Sequence, residues 1–275
     1  MIMQSPPQLT DHSALARNRR RADTFFLHDL AIAEIKERLT EVNRTFTRVA
    51  IVTGFPEVWR AAFPGALIVP EGDTLALEPG AHDLVIHAMA LHWANDPVGQ
   101  LVQSRRALAA DGLFLSVAFG GMTLHQLRAS LAQAEARVTG GLSPRVAPMA
   151  EIRDMGALLQ RAGFALPVAD SLNQTVSYPD ALKLMRDLRA MGEANALHDR
   201  HRKPTRRGLF DLAAQIYADS FGQDGRLPAT FEMIFLTGWA PADTQPKPLR
   251  PGSAKTRLAD ALGATETKLP GTGKV

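Results

Sequence analysis

Apolar positions fall into an alternating series of helix-like stripes and short continuous runs. Over residues 25–39, Leu27, Leu30, Ile32, Ile35 and Leu39 recur at roughly helical spacing. Residues 49–52 form a short apolar, β-branched run of the kind buried on both faces in a parallel sheet. A helix is predicted over 57–62, a turn at Pro64-Gly65 and a second buried strand over 66–69, with further strands over 83–88 and 112–119. Between the last two, Val98, Leu101, Val102 and Leu108 mark a helix over 97–110, which turns through Ala109-Ala110-Asp111-Gly112. This alternation implies right-handed crossovers and an α/β fold with a mostly parallel sheet.

In the second half, Leu124, Leu127, Leu131 and Ala134 place a helix over 123–138, and another over 150–163 is closed by Gly163. Late strands are predicted over 164–170 and 231–239, the latter ending before Pro241. Helices over 178–191 and 207–220 fall in an insertion, about 177–225, that would lie over the sheet. Residues 1–24 are expected to form an N-terminal arm, mobile through residue 22 and ending in Arg17-Asn18-Arg19-Arg20-Arg21. The folded domain then spans 25–240. Residues 241–275, rich in Pro, Gly, Lys and Thr, read as a flexible tail with a short helical stretch over 257–264.

Composition narrows the chemistry. The 275 residues include 45% hydrophobic and 21% charged, enough for one sizeable core. The absence of cysteine excludes disulfides, thiolate zinc sites and cysteine nucleophiles, and fits a cytoplasmic setting. No apolar h-region marks a signal peptide, and no run reaches the ~18–20 residues that span a bilayer. A net charge of +3 gives no argument for DNA. The basic run Arg200-His201-Arg202-Lys203-Pro204-Thr205-Arg206-Arg207 is either a solvated loop or a contact for an acidic partner, an anionic membrane surface or RNA. No aromatic residue interleaves with it, so RNA comes last. The scattered histidines form no metal motif, so no metal is expected.

The stretch Asp83-Leu84-Val85-Ile86-His87-Ala88-Met89-Ala90-Leu91-His92-Trp93-Ala94-Asn95-Asp96-Pro97 resembles the fourth strand and following turn of class I S-adenosylmethionine (SAM) methyltransferases. Phe119-Gly120-Gly121-Met122-Thr123-Leu124-His125-Gln126-Leu127-Arg128 is similar to the segment after strand five in one subgroup. That subgroup unites biotin-pathway malonyl-carrier-protein methyltransferases with a complex I assembly factor associated with arginine hydroxylation of an NADH dehydrogenase subunit. Gly140-Gly141-Leu142-Ser143-Pro144-Arg145, Val176-Ser177-Tyr178-Pro179 and Met191-Gly192-Glu193-Ala194-Asn195 resemble the assembly-factor branch in particular. The resemblance covers roughly residues 15–240. It implies a Rossmann-like sheet with an antiparallel last strand, SAM as cofactor and a respiratory-complex subunit as partner.

Two departures stand out. Where the family carries a triple-glycine loop, this chain reads Ile51-Val52-Thr53-Gly54-Phe55-Pro56-Glu57. The interval from Gly54 to Asp83 also lacks room for the family's helix, strand, second helix and next strand, so one strand–helix unit is expected to be missing. The resemblance implies a cofactor side formed by Thr53, Gly54, Glu71, Leu91 and His92, and an acceptor side formed by Phe119, Gly120, Thr123, Arg145 and Tyr178. Each has an ordinary alternative. Gly54 is equally a turn glycine, Glu71 a solvated acid, His92-Trp93 core, Thr123 a helix N-cap, Arg145 a surface arginine and Tyr178-Pro179 a helix start.

The functional expectation is a SAM-dependent methyltransferase-like protein. Its rivals are a non-catalytic assembly chaperone and, by family analogy, an arginine hydroxylase. Phe55 and Pro56 discriminate: turned into the cofactor ground they favour a scaffold, and turned outward they leave methyl transfer open.

Overall fold

The computed structural model describes residues 8–245 and Gly263. The chain divides into two units, Met1–Ala242 and Asp243–Val275. Apart from Gly263, the helical stretch expected over 257–264 lies outside the described residues.

In the first unit, six strands form one sheet: β1 (Val49–Thr53), β2 (Leu67–Pro70), β3 (His82–Ala88), β4 (Leu108–Phe119), β5 (Ala165–Tyr178) and β6 (Leu227–Trp239). Their order is β2-β1-β3-β4-β6-β5. The first four are parallel, and β6 runs antiparallel to both β4 and β5. The helices are α1 (His12–Arg19), α2 (Phe26–Glu41), α3 (Pro56–Ala62), α4 (Pro97–Ala107), α5 (His125–Thr139), α6 (Ile152–Arg161), α7 (Ala181–Ala190) and α8 (Arg207–Phe221). A single 3₁₀ turn, Leu91–Trp93, follows β3.

Alternation of side chains along each strand sends the core to two faces. On one, Ile51, Ile86 and Leu115 pack with Ile35 of α2, Trp59 of α3, Leu131 of α5, Leu184 of α7 and Tyr217 of α8. On the other, Val85 and Phe114 meet Leu101 of α4 and Leu159 of α6. One polar group inside β3 anchors the neighbouring loop. Asp83 accepts hydrogen bonds from the Thr47 and Arg48 amides, each at 2.9 Å, and tethers the loop before β1. The insertion of α7 and α8 falls between β5 and β6, as the pattern predicts.

Between β1 and β3 the chain forms only α3 and β2, one helix–strand pair short of the family pattern. Other expectations need correction. Residues 12–19 are a helix rather than a mobile arm. Asp11 caps it by accepting from the Ala14 amide, and Ala14 and Leu15 pack against Trp93, Ala147 and Ala196. Strand β5 runs for 14 residues, well beyond 170. Its continuation, Ser171 to Ser177, is mostly polar, because an edge strand needs apolar residues on one face only, so no continuous run announces it. Helix α7 starts at Ala181 behind an Asp180 cap, so Tyr178-Pro179 ends a strand instead of opening a helix. Thr123 does not cap α5. Its hydroxyl exchanges two 3.0 Å hydrogen bonds with the Glu232 backbone, and Leu124 enters the helix at φ 53°.

Two histidines are built into this core as neutral groups. His28 accepts from the Trp59 indole at 3.1 Å, and His87 meets Gln100 at 2.6 Å. Burial pushes both down to about 4 from an ordinary 6.5. The folded state therefore binds fewer protons than the unfolded chain between those values. Stability is full above 6.5 and lost as pH falls toward 4. Chemical denaturation at about pH 7 and about pH 5 should give a lower midpoint at the acid end, before most carboxylates titrate. Equal midpoints would mean these histidines are not buried neutral.

Candidate functional site

Parallel strands bring their carboxyl ends to one edge of the sheet, the place where α/β folds hold ligands. Here that edge gathers Thr53, Pro70 and Ala88 with the loops that follow them. The Thr53 hydroxyl accepts from the Phe55 amide at 3.1 Å and shapes the turn into α3. Gly54 in that turn has no room for a side chain. A methyl group there would lie 2.8 Å from a Glu71 carboxylate oxygen and would collide with the Arg19 guanidinium.

Arg19, the last residue of α1, is 8% exposed. It pairs with Glu71, donates to the Met89 carbonyl at 3.4 Å and lies 5.2 Å from the centre of the Phe55 ring. Burial lowers its pKa to about 10, opposed by the negative charge of Glu193. Phe55 turns inward, with its ring 4.5 Å from His28 and 5.6 Å from Phe25. The ground that the resemblance reserves for the cofactor is thus held by the chain's own arginine and phenylalanine. With α1 docked, Glu71 is committed to Arg19, and with Arg19 and Phe55 in place the residues do not fit an adenosyl group.

Glu193 stands next to this cluster. Gly192, at φ 78°, ends α7 where a Cβ would press on Phe55 at 3.1 Å and on Ala22 and the Arg19 Cα at 3.2 Å. Only glycine allows both that conformation and that approach. The next residue then enters the interior. Glu193 Oε2 accepts from the Trp93 indole at 2.7 Å and lies 3.4 Å from His92 Nε2, whereas Oε1 has no hydrogen-bond partner among the described residues. Burial works against its charge. The His92 hydrogen bond, the His92 and Arg19 charges and the Trp93 N–H outweigh burial and hold its pKa at about 2. Glu71 pairs with the Arg19 guanidinium directly, Glu193 feels its charge, and His28 is neutral.

Glu193 also lines a cavity of about 360 Å³ between the sheet edge and the helices that follow β4 and β5. Its walls are mainly apolar, among them Phe119, Leu127, Met149, Met185, Leu188 and Phe231, with Trp93, Arg145, Asn195 and Arg200 also contributing. The structure brings Thr53, Gly54 and Glu71 together around Arg19 and sets His92 against Glu193. Phe119, Thr123 and Arg145 line the cavity. Three expected positions lie elsewhere. Leu91 is buried in the core cluster of the α4 and α6 face. Gly120 packs on Glu232, where a Cβ would meet the carboxyl carbon at 2.7 Å. Tyr178 is buried in the main core. Arg145 is committed too: it donates to Glu135 at 2.6 Å and to Thr205 at 3.1 Å.

Sequence reasoning missed Arg19 and Glu193. Nothing distinguishes Arg19 from its neighbours in the basic run except its place at the end of α1. Glu193 has a local signal, since a glycine that ends an apolar helical stripe turns the next residue back toward the core. Among the described residues, no group of three His, Asp or Glu side chains is arranged to hold a metal ion.

No family model matches the chain. Curated proteins do. "Arginine-hydroxylase NDUFAF5, mitochondrial" of Danio rerio is 38% identical over 198 residues, covering 72% of this chain and 61% of that protein. The protein of the same name from Dictyostelium discoideum is 40% identical over 191 residues, covering 69% of this chain and 44% of its own. "Malonyl-[acyl-carrier protein] O-methyltransferase" of Laribacter hongkongensis is 37% identical over 177 residues, covering 64% and 57%. The chain thus spans between 44% and 61% of the length of these relatives. Among solved structures, the YcgJ protein of Bacillus subtilis superposes with a TM-score of 0.47 at 14% identity over 84% of this chain and 99% of its own, which adds nothing to the strand order.

The Glu135–Arg145 pair is a structural tie. Glu135 also accepts from the Ser143 amide at 3.0 Å and hydroxyl at 2.7 Å, and so fixes the loop after α5. Substituting Arg145→Gln should leave that carboxylate buried without a cation and lower stability by about 3 kcal/mol in a urea titration. An unchanged midpoint would return Arg145 to the role of a free ligand-binding cation.

Proposed function

The chain belongs to the class I methyltransferase-like family, and from that premise we propose that it is an assembly-factor-type protein that captures an arginine side chain of a partner, a respiratory-complex subunit, in the cavity beside Glu193. One observation carries this reading: Glu193 is a buried carboxylate, and one of its oxygens has no hydrogen-bond partner among the described residues. A guanidinium brings planar donors that suit a carboxylate. The apolar walls suit its aliphatic stem, and Trp93 and Phe119 supply ring surfaces for a cation. The relatives named arginine-hydroxylase support the same choice.

Methyl transfer from SAM is the second reading. It is favoured by Gly54 and Glu71 at the carboxyl ends of adjacent parallel strands, with the Glu193 cavity beside them. When bound, SAM supplies an electrophilic methyl group on a sulfonium. Glu71 would hold its ribose hydroxyls, and the negative charges of Glu71 and Glu193 would favour its positive charge.

Arginine capture is tested on peptides tiling respiratory-complex subunits, each made with arginine and with citrulline at the same position. At least one arginine peptide should bind and its citrulline twin should not. Glu193→Gln, nearly isosteric, should weaken that peptide about 30-fold, corresponding to ~2 kcal/mol for a desolvated charge pair. Equal binding of arginine and citrulline forms would sink the reading.

A further inference from the structure

We infer that α1 is an exchangeable plug in the cofactor cleft, latched by the same segment that lines the acceptor cavity. This inference rests on the reading of Gly54 and Glu71 as a cofactor cleft and is independent of arginine capture.

The plug is defined by exclusion. Arg19 occupies the space over Gly54 and pairs with Glu71, the two features an adenosyl ligand would need. Docked Arg19 and bound nucleoside are therefore alternatives. The glycine that would admit a ligand's backbone-hugging edge is the one that now admits the guanidinium.

The hold on α1 is polar and local. Of its eight residues only Ala14, Leu15 and Arg19 are buried, so little apolar area retains it. Most of its polar anchors come from one stretch of chain. The Ala196 carbonyl accepts from the Asp11 amide, the His198 amide donates to the Leu9 carbonyl, and the Ala194 carbonyl accepts from the Asn18 side chain, all at 2.8 Å. Arg200 donates to Asp11 at 2.8 Å. Asn95 adds a clasp from the other side, accepting from the Leu9 and Thr10 amides. Once Arg19 leaves Glu71, only Ala14 and Leu15 remain in the core, with hydrogen bonds and the exposed or half-buried ion pairs of Asp11 and His12, a hold typical of the less protected parts of a structure.

The latching stretch has a second duty. Glu193, Ala194, Asn195, Arg200 and His201 line the cavity. Whatever fills that cavity touches the backbone and side chains that hold α1. Occupancy of the acceptor side thereby biases plug release, and entry of a cofactor biases the acceptor side by the same factor.

The test measures S-adenosylhomocysteine binding calorimetrically in three proteins, together with amide exchange over residues 11–19. The proteins are the wild type, the latch variant Asp11→Asn/Arg200→Gln, and Arg19→Ala. An unfolding curve for each verifies that it is folded. If α1 is docked in about 90% of wild-type molecules, freeing it should tighten binding about tenfold. The latch variant should show faster α1 exchange and tighter binding. Arg19→Ala should bind more tightly with less change in exchange. Faster exchange without tighter binding would overturn the plug. So would wild-type binding that leaves α1 exchange unchanged, or no binding by any of the three. Titrating the same proteins with the arginine peptide reads the other proposal separately. A failure there with a gain in S-adenosylhomocysteine affinity leaves the plug standing, and the reverse result leaves arginine capture standing.

Discussion

Arg19 is a guanidinium held almost out of water, paired with Glu71 and within the field of Glu193, and the arrangement of the site follows from it. A buried charge is tolerated only where opposite charge and hydrogen bonds replace its hydration. Glu71 and Glu193 provide the charge, and the Met89 carbonyl provides a hydrogen bond. Meeting that demand fixes several other residues. Gly54 must be bare to admit the guanidinium. Gly192 must be bare to let the end of α7 close against it. Phe55 turns inward beneath it, and His28, beside a cation and away from water, stays neutral. Removing the arginine would leave Glu71 without its ion-pair partner.

The cluster lies where it does because of the sheet. Four parallel strands deliver their carboxyl ends to one edge, so residues far apart in sequence meet there without any long loop having to reach. The helical insertion then brings Glu193 in from the opposite side. The Arg19 cluster and the apolar cavity therefore adjoin, and the Glu193 carboxylate stands at their junction. An arrangement of this kind serves a reaction that joins two bound groups. It serves equally well a protein that reports the filling of one site at the other.

Most of the fold was legible in the amino-acid pattern. Buried parallel strands such as β1 and β3 are continuous apolar runs, and crossover helices such as α4 carry clear stripes. The short interval before Asp83 correctly signalled a missing helix–strand pair. Edge structure was harder. Strand β5 lies half in solvent, so polar residues interrupt its signal, and the end of Tyr178-Pro179 reads the same for a strand stop as for a helix start. The site was legible in part. Thr53, Gly54 and Glu71 do converge, but around an arginine whose burial depends on tertiary packing of α1 and leaves no local trace. Leu91 and Tyr178 lie in the core clusters, because proximity in sequence to a loop does not determine which face of the sheet a side chain joins.

The loss of one helix–strand pair also changes which strand bounds the sheet. Strand β2 now stands outermost, and its unpaired amides and carbonyls are a potential template for another chain. It has only four residues and ends in Pro70, which offers no N–H. A boundary so short gives an incoming strand little to extend. The sheet has been narrowed on one side without acquiring a surface prone to fibrous self-association, which explains in physical terms why this fold can shed an outer unit and stay usable.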